Sequence, residues 1–204
     1  LGDSNSMAYT TAIGYKALYN NTGGNSNVAV GAQALEANKG GDQNTAVGYN
    51  ALRRNTTGNF NTGIGNLALT SNTSGFRNIA VGTNSQYSNT TGQQNTSVGV
   101  GSLYENTIGT HNIAIGNTAM NKNTSGSHNI ALGSPALQSN TTGYNNVAIG
   151  DSALQSNTIG YNNIAIGLYN LTFILNPEKI IIGGAISSRE DLIFNIEDKF
   201  NQII

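Results

Sequence analysis

The sequence predicts an all-β protein, a β-solenoid (β-roll) of ten 17-residue coils followed by a short α/β segment. Three observations predict it. A glycine preceded by an aliphatic residue recurs at Gly14, Gly31, Gly48, Gly65, Gly82, Gly99, Gly116, Gly133, Gly150 and Gly167, each 17 residues after the last. The residues before that glycine alternate with period two and are rich in Val, Ile and Thr, which is the signature of a short strand. A 17-residue unit of two short strands and two turns cannot bury its own side chains, so copies must stack.

The elements follow column by column. The residue before the first glycine is aliphatic in every coil, from Ile13 to Ile166. Two positions earlier stands Thr, Val or Ile, and between them a small residue. A second apolar column follows, with Leu18, Leu35, Leu52, Leu69, Leu103, Met120, Leu137, Leu154 and Leu171. Gln86 interrupts it, and Tyr87 beside it is the expected substitute. Asparagine then precedes a turn with glycine at its end, as in Asn55-Thr56-Thr57-Gly58. Asn and Gly both tolerate the left-handed backbone that turns require. A further asparagine column, Asn27 to Asn163, opens each strand, and stacked asparagines can bond from coil to coil. The expected interior is a narrow column of Val, Ile and Leu. Nine rung spacings of ~4.8 Å give a stack on the order of 43 Å long.

The solenoid is expected over 1–167 and a strand-helix segment over 168–204. Lys179-Ile180-Ile181-Ile182-Gly183 predicts a buried strand. Ser187 and Glu190 form a capping box before an apolar helical stripe of Leu192, Ile193, Ile196, Phe200 and Ile203. This segment is expected to cap the stack, to aid oligomerisation or to be a fused fragment.

Composition excludes several classes. There is no cysteine, so there is no disulfide framework, thiolate metal site or cysteine nucleophile. The net charge is −1, which leaves no basic excess for nucleic acid. No apolar run approaches the ~20 residues that span a bilayer, so no membrane insertion is expected in this segment. No base recurs beside the plentiful Ser and Thr, and no carboxylate pair recurs by coil, so catalytic residues and cofactors are not expected.

The small strand column, Ala12, Ala29, Ala46, Ala80, Ala114, Ala131, Ala148 and Ala165, admits two readings. Alanine is a poor strand former, and an exposed column would normally carry longer polar residues. Either an identical chain approaches closely there, which makes it an oligomer interface, or alanine fills a tight interior corner.

Asn146-Val147-Ala148-Ile149-Gly150 and Asn163-Ile164-Ala165-Ile166-Gly167, together with the Asn-Thr-Thr-Gly turns, resemble the repeats of trimeric autotransporter adhesin heads and of phage-type tail fibres. The resemblance spans about residues 5–167. It implies left-handed β-rolls assembled as a homotrimer, located outside the cell, on its surface or on a virion. It brings no catalytic residues. Asn176 to Ser187 resembles a C-terminal stretch of the ROK family of sugar kinases, whose other motifs are absent from this chain.

Candidate surface residues come from shared columns. His111 and His128 stand 17 apart and could bind a metal if clustered, or could simply be exposed turn histidines. Tyr144, Tyr161 and Phe76 could stack on a glycan or another cell-surface receptor. Arg53, Arg54 and Arg77 are candidates for a small basic patch. The expected function is a non-enzymatic structural or adhesive fibre. One alternative is a monomeric ice-binding or other ligand-binding solenoid, built on the threonine column Thr56, Thr73, Thr90, Thr107, Thr124, Thr141 and Thr158. A more distant one is a kinase-related chimera.

Overall fold

The computed structural model describes residues 9–166, and these hold ten strands. The strand at 179–183, the capping box and the following helix lie outside the described residues. Within them the architecture is the predicted solenoid, with no helix. Each coil contributes one three-residue strand, not the expected two, because the Ala-Leu segment is held in tight turns. They are β1 Thr11–Ile13, β2 Val28–Val30, β3 Thr45–Val47, β4 Thr62–Ile64, β5 Ile79–Val81, β6 Thr96–Val98, β7 Ile113–Ile115, β8 Ile130–Leu132, β9 Val147–Ile149 and β10 Ile164–Ile166. They form one parallel sheet in chain order. Every partner lies 17 residues away, as in Ala29 opposite Ala46.

The rest of the coil is a run of tight turns that keeps the ladder going. In the coil of Asn44–Phe60, Ala51 N–H donates to Gly48 O, Arg53 N–H to Asn50 O and Asn55 N–H to Leu52 O, at 3.4, 3.3 and 3.0 Å. The same segment bonds to its neighbours. Leu52 N–H donates to Ala68 O at 2.9 Å, and Asn50 N–H to Ala32 O at 3.0 Å. Pairing on all sides explains why the period is so strict, since one inserted residue would break the ladder around the whole coil. It also holds side-chain-bearing residues in the left-handed region at three corners of most coils. Asn50 (φ 56), Leu52 (φ 51) and Phe60 (φ 59) are examples. At the fourth corner Gly48 has φ 133, and a Cβ there would lie 2.5 Å from Gly65 O. Only glycine fits such a backbone and such a close approach.

The interior corrects the expected orientation of the strands. Ala29, Ala46, Ala80, Ala114, Ala131 and Ala148 are fully buried inside the coil, packed with the Ala-Leu columns of the opposite wall. Because strand side chains alternate, the Val, Ile and Thr residues on either side of each alanine must point outward. The cause is space. At Gly63, which occupies the alanine column, an added methyl would already lie 3.3 Å from the Leu52 side chain. A cross-section enclosed by 17 residues holds leucine against alanine, and has no room for leucine against isoleucine.

Two asparagine ladders complete the interior. Asn44 Nδ2–H donates to Gly58 O at 2.8 Å, and its backbone N–H to Asn27 Oδ1 at 2.9 Å. Asn55 Nδ2–H donates to the same Gly58 O at 3.0 Å and to Asn38 Oδ1 at 2.9 Å. These amides are fully buried, and their bonding removes the desolvation cost that an orphaned amide would carry.

One stretch of the interior is polar. Gln86 is fully buried in the leucine column; Tyr87 does not replace it, but lies half-buried and stacks on Tyr104 at 5.1 Å. Gln86 Nε2–H donates to Ile79 O and to Ser97 Oγ, both at 2.9 Å, and Ser97 Oγ also bonds Ser85 Oγ. Gln86 Oε1 has no partner. The buried apolar residues accordingly form two clusters, one running up to Ala80 and one starting at Leu103.

Candidate interaction surfaces

The turned-out strand residues create the first surface. One column runs Ile13, Val30, Val47, Ile64, Val81, Val98, Ile115, Leu132, Ile149 and Ile166, aliphatic at every rung. The other runs Thr11, Val28, Thr45, Thr62, Ile79, Thr96, Ile113, Ile130, Val147 and Ile164. None of these residues carries a charge. Ile64, Ile79, Val98, Ile113, Ile115 and Ile149 are 36–42% exposed even in the middle of the stack, where each is flanked by rungs above and below. One uniformly aliphatic column beside one of mixed Thr, Val and Ile makes a continuous uncharged sheet face, a contrast with the polar turns around it.

Of the two readings of the alanine column, the structure corrects the oligomer interface and favours the tight interior corner: six of the eight alanines have no surface left to offer. Ala12 is exposed and Ala165 half-buried only because they belong to the first and last strands. The alternation was visible in the sequence, but its inside and outside were exchanged.

The second surface is the corner before each strand. Its side chains stand out from left-handed backbone, as at Phe60, Arg77, His111 and His128. Periodicity correctly brings His111 and His128 together, with rings stacked at 4.6 Å and 10°. Both are exposed. They are two ligands without a third: among the described residues no group of three or more His, Cys, Asp or Glu could hold a metal. Tyr144 and Tyr161 also stack, at 5.1 Å and 3°. Phe76 shares their column four coils away and does not join them. The Arg77 guanidinium instead lies 5.9 Å from the rings of both Phe60 and Phe76, a cation–π arrangement.

Two further sets resolve differently. Arg53, Arg54 and Arg77 do not form one patch: Arg53 Nε pairs with Glu36 at 2.8 Å, and Arg77 sits at the aromatic corner. The threonine column is engaged internally. Thr56 Oγ1–H donates to Thr73 O at 3.0 Å, Thr73 to Thr90 O at 3.1 Å and Thr90 to Thr107 O at 3.0 Å. Each of these hydroxyls has given its one proton to a backbone carbonyl. The Tyr87–Tyr104 stack was legible from the period and was missed; the Arg77 arrangement joins neighbouring columns, so no single column signals it.

Comparison with protein-family models, with curated proteins and with solved structures gives no match.

Proposed function

We propose that this chain is a non-enzymatic shaft segment of an extracellular fibre, of the trimeric adhesin-head or tail-fibre kind, found on a cell surface or virion. In this reading it holds a recognition surface at a fixed distance from its anchor. The observation that carries it is the uncharged aliphatic face running the length of the stack, which a lone solenoid leaves in water. The ten parallel strands support the same reading, because a continuous ladder resists bending and gives reach without a globular core. The stacked pair Tyr144 and Tyr161, and Phe76 separately beside Arg77, are the surfaces on which a receptor or glycan would stack.

Sedimentation velocity, or size-exclusion chromatography with light scattering, tests the proposal. A mass of three chains of 21.2 kDa is expected. A clean monomer at micromolar concentration overturns the trimeric fibre.

A further inference from the structure

We propose that His111 and His128 form a two-imidazole surface chelate for a divalent late transition metal, Cu²⁺ foremost. One chain supplies both ligands, so the site stands whether or not copies assemble into a fibre.

The backbone builds the pair. The chain has two histidines, and both fall in one column on consecutive rungs, at the corners before β7 and β8. Both corners have left-handed backbone, with φ 57 at His111 and φ 58 at His128. Hydrogen bonds to the previous coil pin each one. His111 N–H donates to Gln93 O at 3.1 Å, and His128 N–H to Thr110 O at 2.9 Å. Identical corners one rung apart launch the two side chains in the same direction, and the rings come to lie parallel at 4.6 Å and 10°. The two ligands are therefore placed before any metal arrives, which lowers the ordering cost of binding.

The spacing is within reach of a chelate. First-row divalent metals such as Zn²⁺ take imidazole nitrogen at ~2.0–2.1 Å, so two adjacent ligand nitrogens stand about 3 Å apart. From a ring spacing of 4.6 Å the nitrogens must close by about 1.6 Å. Both side chains are exposed, so rotation of the side chains supplies this movement without disturbing the ladder.

The donor set selects the metal. Hard cations such as Ca²⁺ and Mg²⁺ seek carboxylate and carbonyl oxygens, and among the described residues no third His, Cys, Asp or Glu completes a set around the pair. The sequence has no cysteine for thiolate coordination. The flanking rungs of the same column carry the neutral amides Gln94 and Asn145. The column's one cation, Arg77, stands two rungs below His111, about 9.6 Å away along the stack. Two neutral imidazoles with water in the remaining positions suit Ni²⁺, Cu²⁺ and Zn²⁺, and of these Cu²⁺ binds most tightly. A metal held there ties the coil of β7 to the coil of β8 from outside.

The test uses the whole chain without a histidine tag. Cu²⁺ is titrated in calorimetry, and electron paramagnetic resonance counts the nitrogens bound to it. The expected result is one Cu²⁺ per chain with two imidazole nitrogens. His111→Asn and His128→Asn are each expected to weaken binding about 10-fold or more, because the second imidazole acts at the high effective concentration of a tethered ligand. Asparagine fits either place, since Asn145 and Asn162 hold the same corner at φ 55; circular dichroism checks that the fold is kept. The double variant controls for copper taken up by the chain terminus or backbone. A smaller fall in either single variant, a wild-type affinity no greater than that of the double variant, or a single bound imidazole nitrogen overturns the chelate. Each of these outcomes leaves the fibre reading untouched, because that reading is decided by the mass of the assembly.

Discussion

Replacing the polar plug of Ser85, Gln86 and Ser97 by the Ala-Leu-Ala pattern of the other coils is expected to stabilise the stack. All three residues are fully buried. Gln86 Oε1 is an orphaned acceptor, and relieving such a group is worth about 1–3 kcal/mol. Burying a leucine there contributes about 1.5–3 kcal/mol. Against this stand the lost bonds from Gln86 to Ile79 O and Ser97 Oγ, from Ser97 to Ile79 O and between Ser85 and Ser97, with a longer one from Gln86 to Asn95 O. At a net ~0.5–1.5 kcal/mol each they offset much of the gain. The triple variant Ser85→Ala, Gln86→Leu, Ser97→Ala should therefore gain about 0–2 kcal/mol. Gln86→Leu alone should gain less, because Ser97 and Ile79 lose a donor and leucine must pack against a serine instead of an alanine. The assay is equilibrium denaturation in guanidinium, followed by circular dichroism, with hydrogen exchange as a second readout. Joining the two apolar clusters should also sharpen the transition and raise protection around rungs 78–111. A triple variant with a lower denaturation midpoint than the wild type would refute the reasoning, since the plug would then be a net stabiliser.

Other outcomes follow from the same geometry. Asn55→Ala removes the donors to Gly58 O and Asn38 Oδ1 and the acceptor used by Asn72 Nδ2; thermal melting should show a loss of about 2–4 kcal/mol. Gly48→Ala should prevent folding or cost more than any surface change, because its methyl meets Gly65 O; Gly101→Asn should be tolerated, because φ 62 at Gly101 matches φ 56 at Asn50 in the equivalent place. Expression yield and melting temperature of the two variants check that contrast. Ice-growth measurements are expected to show no thermal hysteresis, given the engaged hydroxyls of Thr56, Thr73 and Thr90.

The sequence carried the architecture because each rung repeats the same constraints. Gly48 and Gly65 mark one corner, Asn55 and Gly58 another, and Thr45-Ala46-Val47 the strand between turns; all appear where the period places them. What it did not carry is the direction in which the strand faces. Alternation has two solutions, and hydrophobicity alone favours turning Val and Ile inward. The choice depends on the width of a closed 17-residue loop, which is a property of the whole coil and not of any pair of neighbours. The interface reading of the alanines followed from that single inversion; the interior-corner reading did not need it. Gln86 was misjudged for a related reason: burying an amide is normally unfavourable, and only its partners Ser97 and Ile79, from its own and the next coil, make it acceptable. Stacked pairs such as His111 with His128 were legible because parallel stacking turns a sequence interval directly into a spatial neighbour.

The asparagine ladders give the stack a sense of direction. Asn38 donates down to Asn21, Asn55 to Asn38 and Asn72 to Asn55, and the second ladder runs the same way. The side-chain amide dipoles therefore add along the axis and do not cancel. One end of such a column offers donors and the opposite end acceptors, so further units can be appended head to tail with every amide matched. Inverted joining would set like groups against like. Growth of a longer shaft from this repeat is thereby confined to one polarity, set by the carboxamides inside it.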